Sequence, residues 1–261
     1  MFNIYKYECK SNIKSLLIWS LAVGGMGLAC ILLYQSMQDS MEGMAENFAS
    51  MGAFADAFGM STLSIATLKG YFATEIGTIH ALGGGLFAAS IATTMLSKEE
   101  DQHTAEFTFA LPLSREKIIA MKFLAVLTNI ILFTLCCGIM YQIGFLVLGE
   151  SLGAEFIKYL FFQMLMNIEI ATICLVVSAL SKKNKLGVGI SIAMLLYMYD
   201  LMARVIPKLK DIIFLSPYSY SNAIEIFSKS KLDLPAIIFS IFITASTLAF
   251  SFVYYAKRDL Q

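Results

Sequence analysis

Six apolar runs divide the chain, at residues 16–33, 76–96, 118–148, 156–180, 186–205 and 234–255. A bilayer core is crossed by about 20 apolar residues in helical form, so each run predicts a membrane-spanning helix. The third is longer than a span needs and predicts extra turns beyond the membrane. Between the second and third runs stands a polar island, residues 97–122, in which Glu99, Glu100 and Asp101 open a short segment that Pro112 interrupts. Acidic residues favour a helix start and proline ends the turn before it. Ser114 then caps a new helix, with Lys117 where a capping box has Glu. The pattern predicts a short helix across the membrane surface at 97–114, a break, and the third span.

Polar flanks carry their own periodicity. Phe2, Tyr5, Cys9 and Ile13 recur at helical spacing between basic residues, predicting an amphipathic N-terminal helix that lies in the headgroup layer and leads into the first span. Residues 35–75 are too acidic to span, yet Met41, Met44, Phe48, Met51, Ala55 and Phe58 repeat every three or four residues, predicting a second amphipathic helix. Its stripe is read first as packing. Met44, Phe48 and Met51 are also candidates for a substrate path, since methionine adapts to varied partners. Residues 206–233 carry Ile212, Ile213, Phe214 and Leu215, too short a run to cross but apolar enough to dip into a leaflet. Gly24 and Gly25 in the first span, and Gly187 and Gly189 in the fifth, give faces suited to close helix pairing, within one chain or between two. Gly83-Gly84-Gly85 in the second span reads as close packing or a flexible point.

Composition agrees with this pattern. The 261 residues are 58% hydrophobic and 15% charged, with mean hydropathy +0.72, against about a quarter charged in soluble domains. Formal net charge is zero, which argues against nucleic acid as a partner. Five cysteines, Cys9, Cys30, Cys136, Cys137 and Cys174, show no metal-ligand spacing and read as packing residues. Basic residues favour both termini in the cytoplasm, with Lys6, Lys10, Lys14, Lys98, Lys122, Lys182 and Lys257 on that side. The group from Arg204 to Lys231 runs against that assignment. The fold class expected is an all-α integral membrane protein, one domain over 1–261 with six transmembrane helices and external amphipathic segments.

No Walker A loop, His-Glu-x-x-His or Gly-x-Ser-x-Gly occurs, and the two histidines are His80 and His103. The chain is therefore expected not to be an enzyme, to have no catalytic residues and to bind no metal or cofactor itself. Glu169 and Asp200 lie in the fourth and fifth spans. A charge at mid-bilayer costs about 2.5–3.5 kcal/mol, so each acid should be protonated, paired or facing water. Glu169 is a candidate for substrate contact, or for a structural hydrogen bond to Asn129, Gln142 or Asn167. Asp200 is expected near enough to the outer interface to need no special partner.

The island, read residue by residue, resembles the signature of type-2 ABC transporter permeases: an acidic residue, Gly-Thr-x-Glu, a hydrophobic pair, Leu-Pro-x-Ser-Arg, a double aliphatic and Lys. These places fall on Glu99, Thr104, Glu106, Phe107, Leu111, Pro112, Ser114, Arg115, Ile118, Ile119 and Lys122. His103 departs from the pattern, standing where the family has Gly. Weaker similarity extends over nearly the whole chain, including Ser216-Pro217-Tyr218 and Lys257-Arg258-Asp259-Leu260.

The resemblance implies an ATP-driven exporter in a cell membrane, bacterial by kinship, built from two permease copies, identical or different, and separate ATP-binding subunits that hold ATP and Mg. The segment between the second and third spans would dock on the ATPase. Glu99, Glu100, Thr104, Glu106, Phe107 and Phe109 are the expected coupling residues, with Arg115 and Lys122 holding the helix start or meeting lipid headgroups. Cargo would be amphipathic or hydrophobic, such as a membrane-active peptide toxin or an antimicrobial. Two other readings stay open: a scaffold or sensor that binds an ATPase without transport, and an ion-coupled secondary transporter using Glu169.

Overall fold

The computed structural model describes residues 2–49, 63–104, 113–228 and 233–258. They form α1 (Phe2–Ala49), α2 (Leu68–Met95), α3 (Lys98–Asp101), α4 (Arg115–Val147), α5 (Ala154–Leu180), α6 (Leu186–Val205), a 3-10 helix (Pro207–Leu215), α7 (Ala223–Phe227) and α8 (Leu234–Lys257). Six of these, α1, α2, α4, α5, α6 and α8, are long and apolar enough to cross a membrane. No strand occurs among the described residues. The result is an all-α integral membrane fold.

Spans three to six run within three residues of the expected bounds. The fifth, Leu186–Val205, is bounded by Lys182, Lys183 and Lys185 before it and Pro207 after it. The first two differ. Instead of an N-terminal amphipathic helix, a span and a third helix, the chain makes one unbroken α1 of 48 residues. Neither glycine nor proline stands between Lys14 and Ala22 or between Leu28 and Glu42, so nothing halts the helical ladder where polarity changes. Met44 and Phe48 sit on its last turns, and Met51 lies outside the described residues. α2 begins eight residues earlier than expected, at Leu68, where Thr67 Oγ1 accepts from Gly70 N at 3.1 Å.

A π-helical turn, Phe72–Ile76, interrupts α2. It sets Phe72, fully buried, among the rings of Tyr141, Phe145, Phe156, Tyr159 and Phe227, each at 5.5–5.9 Å and edge-on. α1 packs along α4, while α2 lies against α5 and α6, and α8 against α5. The triple glycine of α2 serves packing. Val23 of α1 abuts Gly83, Asn167 of α5 abuts Gly84, and Tyr218 abuts Gly85. A Cβ at Gly84 would stand 2.8 Å from Asn167 Nδ2, so a side chain there would displace the buried Asn167 amide.

Of the four glycines expected to pair helices, Gly24 meets Met140 and Cys137 of α4 and Gly189 meets Thr93 of α2, both within the chain. Gly25 and Gly187 have nothing within 4 Å. The segment after α6 folds back further than expected. Its 3-10 helix stays largely exposed, but Ser216, Tyr218, Ser219, Tyr220 and Ser221 are buried in the bundle.

Candidate functional site

Three polar centres stand out, and the first is built around the island. Both termini arrive at the same face of the bundle, because Glu8 of α1 reaches Lys98 and Arg258 after α8 reaches Glu100. Lys122, one turn into the apolar part of α4 and 1% exposed, donates to Met95 O at 2.7 Å. It also pairs with Glu99 and, at 3.3 Å, with Glu8 Oε1. The Arg258 guanidinium pairs with Glu100 and donates to Ala179 O and Ser181 O (3.1 Å), covering carbonyls at the end of α5 that the helix leaves unpaired. Burial lowers the Arg258 pKa, yet an arginine starts so far above neutrality that it stays charged. Arg115 Nη1 donates to Arg258 O at 2.5 Å and to Ala256 O at 3.4 Å. Leu96 N and Ser97 N both donate to Ser178 Oγ, at 2.9 and 3.2 Å, and Tyr255 OH donates to Leu96 O at 2.9 Å.

The root of the island is thereby tied to α1, α4, α5 and α8. Glu99 and Glu100 are 8% and 5% exposed, so their carboxylates face the bundle rather than an outer surface. Lys122 likewise holds carboxylates and a carbonyl instead of a helix start or lipid headgroups. Thr104 is exposed, and its amide donates to Glu99 O at 2.7 Å. Glu106, Phe107 and Phe109 lie outside the described residues. His103 has φ 56°, the left-handed conformation that closes α3. Glycine adopts it without a Cβ penalty, which accounts for the glycine expected there; histidine carries about 1–2 kcal/mol of strain.

The second centre is Glu169, buried at 2% exposure midway along α5. Its partners are not Asn129, Gln142 or Asn167. Tyr220 OH and Ser240 Oγ donate to Glu169 Oε2 at 3.0 and 2.6 Å, and Ser240 Oγ lies 3.0 Å from Tyr220 OH. Burial first, and the neighbouring Glu169 second, push the Tyr220 hydroxyl well above its ordinary pKa, so it remains a donor. Glu169→Gln keeps an acceptor oxygen and is expected to change stability by less than about 1 kcal/mol. Glu169→Leu removes the acceptor that both hydroxyls share, leaving them only their bond to each other, and should cost about 1–3 kcal/mol, read by thermal unfolding in detergent.

The third centre lies at the opposite face. Arg204 Nε donates to Asp200 Oδ2 at 2.7 Å, Nη1 to Glu225 Oε1 at 2.6 Å and Nη2 to Ser219 O at 3.4 Å. Asp200 is 3% exposed and ion-paired, so it is a buried acid that, against expectation, has a dedicated partner. This pairing also neutralises the first of the basic residues that argued against the expected orientation.

The sequence pattern does not show the Lys98–Glu8–Lys122–Glu99 network, the separate Arg258–Glu100 pair, or Tyr220 and Ser240 as partners of Glu169. Lys122 offered a signal, since an ammonium four residues past the start of an apolar run must find an anion. Among the described residues no three His, Cys, Asp or Glu side chains cluster to hold a metal ion.

Comparison with curated proteins gives no match. The profile of the family described as ABC-2 family transporter protein matches residues 2–260, all but the ends of the chain. With six apolar helices and the island motif on the second-to-third connection, the chain belongs to the ABC-2 transporter family, as a multi-pass membrane permease subunit.

Proposed function

We propose that this chain is the transmembrane half of an exporter in which a separate ATP-binding subunit docks on the face carrying both termini, placed in the cytoplasm. Family membership implies an ABC ATP-binding partner and assigns the ATPase to it. The observation that supports coupling here is the anchorage of residues 96–104 to four spans through Lys122, Glu8, Arg258 and Ser178. A displacement applied to this segment moves the bases of α1, α4, α5 and α8 together. In this reading Glu99 and Glu100 transmit the motion from inside the bundle, and Thr104, Glu106, Phe107 and Phe109 meet the partner. Two copies of the chain enclose a path for an amphipathic or hydrophobic cargo, such as a membrane-active peptide. The cell membrane, bacterial in origin, is the setting.

The test uses the purified complex with its ATP-binding partner and follows hydrogen exchange in α1, α4 and α8 with and without ATP. ATP should change exchange in these helices in the wild type. In Arg258→Gln, hydrolysis should persist while the ATP-dependent change is lost. An unaltered response in the variant would show that the segment does not act through this anchorage.

A further inference from the structure

Charges at the face carrying the termini fall into two sets. Lys98, Lys122 and Arg258 are consumed by Glu8, Glu99 and Glu100. Lys117 on the first turn of α4 and Lys257 at the end of α8 are exposed, with no ion-pair partner among the described residues. The two lysines share the rim of one cleft of about 690 Å³ between these helices. Among the described residues Glu116 is the sole acid lining it, against the two lysines. Its walls are apolar, formed by Ala120, Phe252 and Val253. A second hollow of about 280 Å³ adjoins it, sharing Val253 and Lys257 and bounded by Phe250 and Tyr254, whose rings stack at 5.6 Å.

Depth in the membrane gives the combination its meaning. α8 is apolar up to Tyr254 and α4 becomes apolar just after Lys117, so the lysines mark the level where hydrocarbon gives way to headgroups. A positive rim above an apolar trough matches a molecule with an anionic head and an alkyl tail. We propose that this cleft binds an anionic phospholipid of the adjacent leaflet, its phosphate held by Lys117 and Lys257 and an acyl chain lying on Ala120, Phe252 and Val253. Charge complementarity selects this occupant over a second copy of the chain, which would bring a like-charged rim against these lysines.

The full-length chain in mild detergent is titrated with phosphatidylglycerol or phosphatidylcholine, and bound lipid is counted by native mass spectrometry. Phosphatidylglycerol should be retained preferentially and less so as salt rises. Lys117→Gln with Lys257→Gln should weaken that binding about 25-fold, since each lysine near an anionic surface contributes about fivefold. Val253→Trp, which fills the trough and leaves both charges, should weaken it too. Equal retention of the two lipids, or unchanged phosphatidylglycerol binding in both variants, would overturn the proposal. So would cysteines at Ala120 cross-linking two copies across the cleft in membranes. The measurement needs neither ATPase nor cargo, so its failure leaves the exporter reading untouched.

Discussion

Replacing Lys122 by Met is expected to destabilise the folded chain by about 3–5 kcal/mol, the cost of stripping the partner from a buried anion. Lys122 is 1% exposed and neutralises Glu99 while sharing Glu8 with Lys98. Met fills much of the same volume, so the loss is electrostatic rather than a cavity. Glu8 retains Lys98, and the strain therefore concentrates on Glu99. Lys122→Met combined with Glu99→Gln should recover much of the stability, because a neutral amide needs only hydrogen bonds. Thermal unfolding of the detergent-solubilised chain reads both variants. A single variant as stable as wild type would show that Glu99 finds water or another cation in solution.

Arg204→Met is expected to have a comparable effect at the other face, about 3 kcal/mol or more. The loss falls chiefly on Asp200, whose side chain is 5% exposed, whereas Glu225 at 46% can turn to water. Arg204 also binds Ser219 O, so the buried stretch from Ser216 to Ser221 should loosen with it. Arg204→Lys keeps a charge but cannot reach Asp200 and Glu225 from one planar fork, and should fall between. Asp200→Asn in the Arg204→Met background should restore stability. Faster hydrogen exchange confined to residues 216–227 would locate the damage.

Helices of this bundle were legible because lipid makes a simple demand: a spanning backbone must satisfy its own hydrogen bonds within an apolar run. Leu186–Val205 was read to the residue for that reason. α1 was not, because polarity changes at Lys14 and Gln35 mark where the helix leaves lipid, not where it ends. Periodicity reports which face of a helix is apolar and is silent on distant partners. Tyr220 and Ser240 lie 51 and 71 residues from Glu169, and Arg258 lies 158 from Glu100, so no local pattern joins them. The island shows both sides of this limit. Its motif points to the family, while the inward turn of Glu99 and Glu100 depends on Lys122, expected at the helix start or lipid headgroups, and on Arg258, 158 residues from Glu100.

If the segment between the second and third spans is the docking point of an ATP-hydrolysing partner, a charge reversal within it should release that partner. Affinity purification of the chain from its native membrane in mild detergent, with co-purifying subunits identified, tests this most directly when repeated with Glu106→Arg. An ATP-binding subunit should accompany the wild type and be lost from the variant, while the variant still inserts and folds. Absence of any ATP-binding subunit from an intact membrane complex, or its equal recovery with both chains, would contradict this assignment.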